Sequence, residues 1–227
     1  MILFDHDIQS KYVKAGDVVL RLLESNYKKR SGIFISHKWL LESLPKRLIY
    51  SYVYGDLLTP TDSSLKVLDV GGGYCPLTEL MRQYHNYTLL DIMAHDKDVS
   101  MVKDFLIRED WNETPLLDFY YDLVVANDLF PNVDQRLELF IEKFTPTCKE
   151  IRLSITYYNQ PKYYSVKRLD ADEVFCFLAW SGLQVRSVLE KYASRIVVPD
   201  LDFLSSERPS LFTNGRQVCM VQIRGDC

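Results

Sequence analysis

The stretch LKVLDVGGGYCPLTELM, Leu65 to Met81, limits what this chain can fold into more than any other. An apolar run ends next to an acid, three glycines follow, and a proline then opens a helical pattern, so the order reads strand, turn, helix. Glycines in such a turn let the backbone approach a ligand closely, while the helix N-terminus offers free N–H groups. Twenty residues beyond Gly71, Leu89-Leu90-Asp91 closes a second apolar run with a carboxylate. That spacing suits an acid accepting both hydroxyls of a nucleoside ribose.

The flanking sequence supplies the rest of a sheet. Apolar runs at 66–69, 87–91, 101–105, 122–127 and 151–157 alternate with helical segments. This predicts a doubly wound, mostly parallel, Rossmann-like α/β sheet. Gln184 to Leu189 and Gln217 to Ile223 are expected as two further strands, joined by a long polar segment from Pro199 to Asn214. From Asp7 to Leu57 the pattern is helical, with Val13, Val18, Val19, Leu22 and Leu23 in one set, Trp39, Leu40, Leu44, Leu48 and Ile49 in another, and Ser31-Gly32 between them. Residues 1–58 are therefore expected to form a helical lid, and the turn formers Thr59 to Ser64 to lead into a ligand-binding domain over 59–227.

With 227 residues and 47% hydrophobic content, the chain can bury one substantial core. Its net charge of -4 and its single basic run, Lys28-Lys29-Arg30, argue against a nucleic-acid partner. Cys75, Cys148, Cys176, Cys219 and Cys227 are scattered, as are His6, His37, His85 and His95, so free thiols and no metal are expected. The opening MILFDHDIQSK has no leader pattern and no apolar run is long enough to span a bilayer. The expectation is a cytoplasmic protein, away from membranes, whose partner is a small molecule.

Asp69-Val70-Gly71-Gly72-Gly73-Tyr74-Cys75 resembles motif I of class I S-adenosylmethionine-dependent methyltransferases, D/E-x-G-x-G-x-G, with Cys75 in place of the last glycine. The resemblance runs from about Leu65 to Tyr158. It implies the methyltransferase fold with S-adenosylmethionine bound over Gly71 and Gly73, Asp69 close to the ligand's ammonium, and Asp91 on its ribose. It further implies that Asp104, followed by Phe105, reads the adenine amine; a solvated surface acid is the other reading of Asp104. Asp110, Trp111, Asp200 and Asp202 receive no role.

The fourth apolar run ends at Asn127-Asp128-Leu129-Phe130, which partly resembles the N/D-P-P-Y/F signature of amine-directed methyltransferases. First and fourth positions match, and both prolines are missing. The resemblance implies that the Asn127 amide oxygen accepts a hydrogen bond from an attacking nitrogen while Phe130 faces positive charge. Asp128 is open to three roles, as a base, as a support for Asn127 or as a helix cap. Downstream, TYYNQPKYY carries Tyr157, Tyr158, Tyr163 and Tyr164. The pairing of Asn127 with Tyr164 is similar to that of the azetidine-2-carboxylate synthases. This implies that S-adenosylmethionine is the sole substrate, its α-amine attacking its own Cγ to close a four-membered ring and release 5'-methylthioadenosine. Methyl transfer to a small-molecule amine or hydroxyl is the second reading, with Tyr12, Tyr27, His37, Lys38 and Trp39 of the lid as candidates for an acceptor pocket. Non-catalytic binding is the third. Ser36, His37 and Lys38 are equally eligible to hold the methionyl carboxylate.

Overall fold

The computed structural model describes residues 1–26, 34–93, 100–115, 120–167 and 174–227. Tyr27, Lys28-Lys29-Arg30, Ser31-Gly32 and His95 lie outside these residues. The chain opens with β1 (Ile2–Leu3) and four helices, α1 (His6–Lys14), α2 (Val18–Asn26), α3 (Ile35–Glu42) and α4 (Leu44–Tyr54). Then follow β2 (Lys66–Val70), α5 (Pro76–Tyr84), β3 (Asn86–Leu90), β4 (Leu106–Ile107), β5 (Tyr121–Phe130), α6 (Leu137–Phe144) and β6 (Cys148–Tyr157). A hairpin of β7 (Lys162–Lys167) and β8 (Val174–Ala179), then α7 (Gly182–Leu189) and β9 (Gln217–Arg224), complete it.

Seven strands form one sheet in the order β1-β9-β6-β5-β2-β3-β4. From β4 to β6 all neighbours run parallel, and β9 is antiparallel to both β6 and β1. The chain moves outward from β2 to β3 and β4, then returns to place β5 on the other side of β2. This reversal opens a crevice beyond the carboxyl ends of β2 and β5, the usual ligand position in open α/β sheets. The Rossmann-like architecture expected from the alternation of strands and helices is therefore present.

Strand alternation divides the core in two. Leu68, Val124 and Ala126 join α6 and α7 on one face, whereas Val67, Leu123 and Val125 join α1 to α5 on the other. The N-terminal helices thus share a continuous apolar cluster with the sheet. Local signals set their ends. The Asp5 side chain accepts from Ile8 N at 2.9 Å to start α1, and Ser43 with Pro45 behind it starts α4.

Two expected elements differ. Residues 184–189 form part of α7, because Ser181 and Gln184 make a capping box and Val185, Val188 and Leu189 bury one helical face. Residues 101–105 are turn structure, and the short edge strand comes just after, where Leu106 and Ile107 pair with Leu89 and Leu90. The β7–β8 hairpin and β1 were not expected. The short strands β1, β4, β7 and β8 depend on neighbours for their hydrogen bonds, so local pattern underdetermines them.

Gly182 begins α7 where an added Cβ would overlap the Leu204 carbonyl. Gly182→Ala is expected to lose about 1–3 kcal/mol of stability in urea unfolding at pH 7. Gly55→Ala, whose added methyl meets nothing within 4 Å, should be neutral or slightly stabilising.

Candidate functional site

The motif's acid is enclosed first. Asp69, on β2, is 2% exposed and accepts hydrogen bonds from Tyr54 Oη at 3.0 Å and Tyr87 Oη at 2.6 Å. Its carboxylate lies against Gly72 so closely that any Cβ there would overlap it. Burial pushes its pKa up to about 7, although the two hydroxyl donors pull the other way. Asp69 is absent from the cavity wall, and its carboxylate lies beneath the turn as a brace.

Above it the turn is shaped for a ligand. Gly71 and Gly73 have φ of +69° and +65°, which side chains on Cβ disfavour. Gly73 N donates to Asp91 Oδ2 at 2.9 Å, and Met93 N donates to Asp91 Oδ1 at 2.6 Å. Ser36 of α3 packs onto Gly73 so tightly that a Cβ on Gly73 would overlap its hydroxyl. Of the three lid candidates for the methionyl carboxylate, Ser36 lines the cavity, whereas His37 is buried elsewhere and Lys38 pairs with Glu42 at 3.9 Å on the surface.

These groups border a cavity of about 720 Å³ at the carboxyl edge of the sheet. This is within the roughly 300–1,000 Å³ of small-molecule sites. Gly71, Gly73, Asp91 and Asn127 all stand in its wall. At the β4 end the wall is Asp110 and Trp111, followed in space by Asp134 and Arg136. Trp111 Nε1 donates to Asp134 Oδ2 at 2.8 Å, and Arg136 bridges Asp134 and Asp110 at 2.6 and 2.9 Å while its guanidinium lies 4.7 Å from the Trp111 ring. Burial alone would raise the Asp110 pKa, but the Arg136 hydrogen bond and charge hold it below the ordinary carboxylate value.

Asp104 and Phe105 are corrected by this arrangement. Asp104 is exposed, and Phe105 is buried among Tyr74 and Tyr87 with Arg82 over its ring at 3.9 Å; neither borders the cavity. The true end of β4 falls a few residues later than expected, so the acid and ring that follow it in the wall are Asp110 and Trp111.

At the other end, β5 is interrupted. Asn127 pairs with Ser154 in register, then the register shifts so that Phe130 meets Ile155. Asp128 takes φ of +59° within this bulge, a conformation Asp tolerates better than most residues. Ser154 Oγ donates to Asn127 Oδ1 at 2.6 Å and accepts from Asp128 N at 2.8 Å, which fixes the amide.

Asp128 is no base. Its carboxylate accepts from Lys46 Nζ at 3.3 Å, Arg216 Nη1 at 3.0 and 3.1 Å, Thr156 Oγ1 at 3.1 Å and Asn132 Nδ2 at 3.2 Å. Burial pushes its pKa up, and Arg216 and Lys46 outweigh that and hold it low. Nor does it cap α6, which starts at Leu137.

Phe130 is fully buried against Trp111 and Phe140, outside the cavity wall. Tyr164, on β7, also stands outside the wall; it packs 5.7 Å from Phe177, and its hydroxyl reaches Asn132 Oδ1 at 3.4 Å. Of the other tyrosines, Tyr157 and Tyr158 are buried and Tyr163 is 81% exposed. Tyr12 donates to Asp17 at 2.6 Å inside the helical layer, and only Trp39 of the described lid aromatics named above borders the cavity. Asp200 and Asp202 are surface residues. Ser154, Asn132, Lys46 and Arg216 were invisible to motif reading because bulge, strand order and helix packing bring them together.

Among the described residues, no group of three or more His, Cys, Asp or Glu is placed to hold a metal ion. No helix among them is long and apolar enough to cross a membrane.

No protein-family model and no curated protein matches the chain. Among solved structures it is similar to the N-terminal domain of EvdMO1 with SAH bound, with 13% identity over 92% of this chain and 96% of that one, and a TM-score of 0.51. It is also similar to the PH0226 protein from Pyrococcus horikoshii OT3, with 14% identity over 82% of this chain and 93% of that one, and a TM-score of 0.50. Together with the strand order, these likenesses establish a Rossmann-like α/β fold.

The brace under the turn has a pH signature. A carboxyl whose folded pKa of about 7 exceeds its ordinary value of 3.8 gives a stabilising contribution that is complete below the unfolded pKa and lost as pH rises through 7. Asp69→Asn should remove this dependence, so its stability relative to the parent protein rises between pH 4 and pH 8, by about 4 kcal/mol at most. Urea unfolding of both proteins at pH 4, 6 and 8 measures it; a constant gap would refute the assignment.

Proposed function

We propose that this chain is an S-adenosylmethionine-dependent enzyme acting on a small molecule. The observation that carries the reading is the left-handed Gly71–Gly73 turn locked to Asp91 in the wall of a cavity at the sheet's switch point. The Asp91 carboxylate in the wall holds the ribose hydroxyls, Trp111 and Asp110 border the adenine, and Ser36 with the turn holds the methionyl end. The reactive sulfonium then lies near Asn127.

Methyl transfer to an amine or hydroxyl of a second small molecule is the reaction this geometry supports best. The cavity continues past the turn to Trp39, Lys46 and Arg216, leaving space beside Asn127 for an acceptor. The acceptor lone pair forms a bond to the methyl carbon as the carbon–sulfur bond breaks, S-adenosylhomocysteine leaves, and an amine gives its extra proton to water. With Asp128 committed to two cations, no strong base is supplied. An amine with a pKa near ~8 is neutral in roughly a tenth of molecules at pH 7 and does not need one. Asn127 orients that nitrogen by hydrogen bonding.

Cyclisation to azetidine-2-carboxylate stands second. It is favoured by Asn127 in the wall and by the Tyr164 hydroxyl reaching Asn132, a wall residue. It is weakened because the Tyr164 ring does not itself face the cavity.

Mass spectrometry of protein incubated with S-adenosylmethionine alone, then with panels of amines and hydroxy acids, separates these. Methyl transfer yields S-adenosylhomocysteine only with acceptor; methylthioadenosine matched by azetidine-2-carboxylate without acceptor would replace it by cyclisation. Asp91→Ala should weaken S-adenosylhomocysteine binding by about tenfold or more in calorimetry. Asn127→Ala should leave that binding within about threefold while turnover falls about a hundredfold.

A further inference from the structure

We propose that the substrate beside Asn127 carries a carboxylate, received by the Arg216 guanidinium with Lys46 beside it; this rests on the methyl-transfer reading. Arg216 borders the cavity, yet its side chain is only 9% exposed. Its Nη1 makes both contacts to Asp128, and the Phe212 ring backs the guanidinium at 4.0 Å. The buried Nε has no hydrogen-bond partner among the described residues. A buried donor of a charged group left unmatched is costly, and a native structure rarely keeps one without a use. The Nε side of a guanidinium is one of the two edges that meet a carboxylate in paired, parallel hydrogen bonds.

Charge balance gives the same answer. Lys46 Nζ, 3.3 Å from Asp128 and 4.4 Å from the centre of the Trp39 ring, adds a second cation to this end of the cavity. One carboxylate facing two cations leaves this end net positive. The other charged wall residues, Asp91, Glu109, Asp110, Asp134 and Arg136, belong to the β3–β4 end or are tied to it. Arg216 directly precedes β9, four strand spacings or about 19 Å from β3. A ligand nucleoside on Asp91 and Trp111 therefore leaves this positive end for another group. Asn127 lies between the two ends, as a substrate nucleophile requires.

The carboxylate can come from the acceptor or from the methionyl end of the cofactor, and two measurements separate these. Calorimetry with S-adenosylhomocysteine is run on the parent protein, Arg216→Gln, Arg216→Lys and Lys46→Met. Affinities within about threefold are expected, because the acceptor supplies the carboxylate; a drop of about tenfold or more in the Arg216 variants would reassign the seat to the methionyl group and overturn the acceptor proposal. Next, the SAH-saturated proteins are titrated with acetate and benzoate, and with acetamide and benzamide at matched ionic strength, following Tm. Carboxylates alone should raise the Tm of the parent. Both Arg216 variants should lose about tenfold in apparent affinity for them, including Arg216→Lys, which preserves the charge pair with Asp128 and guards against misfolding as the cause. Equal responses to acids and amides would refute the seat. If the parent fails to bind S-adenosylhomocysteine, the cofactor reading falls, while a carboxylate response abolished in the Arg216 variants would still identify the seat.

Discussion

The carboxylate of Asp69 is a single polar group buried where four pieces of the fold meet. Tyr54 arrives from α4, Tyr87 from β3, Gly72 from the turn, and Asp69 itself from β2. Its oxygens have lost water, so the two tyrosine hydroxyls are what make burial tolerable. That requirement pins the N-terminal helical layer to the sheet and leaves Gly72 no room for a side chain. Once Gly72 is seated, Gly71 and Gly73 must turn the chain in left-handed conformations, and Gly73 N–H then meets Asp91. The ligand-facing surface of the turn is the other side of a buried structural contact.

The cavity has two chemically distinct ends because the sheet is wide and its strand order reverses at β2. Toward β4 the wall is aromatic and acidic, with Arg136 tying Trp111, Asp110 and Asp134 into one unit. Toward β9 it is cationic, with Lys46 and Arg216 sharing Asp128. Between them the bulge in β5 turns Asp128 out of the ladder while Ser154 holds Asn127 in it. A bulge here redirects one side chain by displacing one register, without moving the strands that carry the glycine turn. The electrostatic result is a polarised slot, aromatic and acidic at one end and cationic at the other.

Much of the glycine-turn end of the cavity was legible in the sequence. Gly71, Gly73 and Asp91 can be named from spacing because strand, turn and helix are contiguous and their geometry is local. Asn127 is legible for the same reason, as the last polar residue after an apolar strand. Asp69 was found but given the wrong task, since a pattern of residue types does not say which way a side chain faces. Asp104 and Phe105 were misplaced because β4 is two residues long, too short for periodicity to locate. Phe130 and Tyr164 matched signatures by spacing, but the bulge and the hairpin turn them away from the cavity. Arg216 could not have been found at all, since it lies 88 residues from its partner Asp128.

The sequence by itself determined the alternation of strands and helices, the glycine turn and the acid at the end of the next strand, because each is encoded within a short window by backbone freedom, hydrophobic period or capping. Only the tertiary structure decided which acid is a brace, which acid and ring border the cavity beyond β4, and that two distant cations share one aspartate. Those outcomes depend on strand order, on one register shift and on desolvation at contacts between remote segments, and a linear pattern carries none of the three.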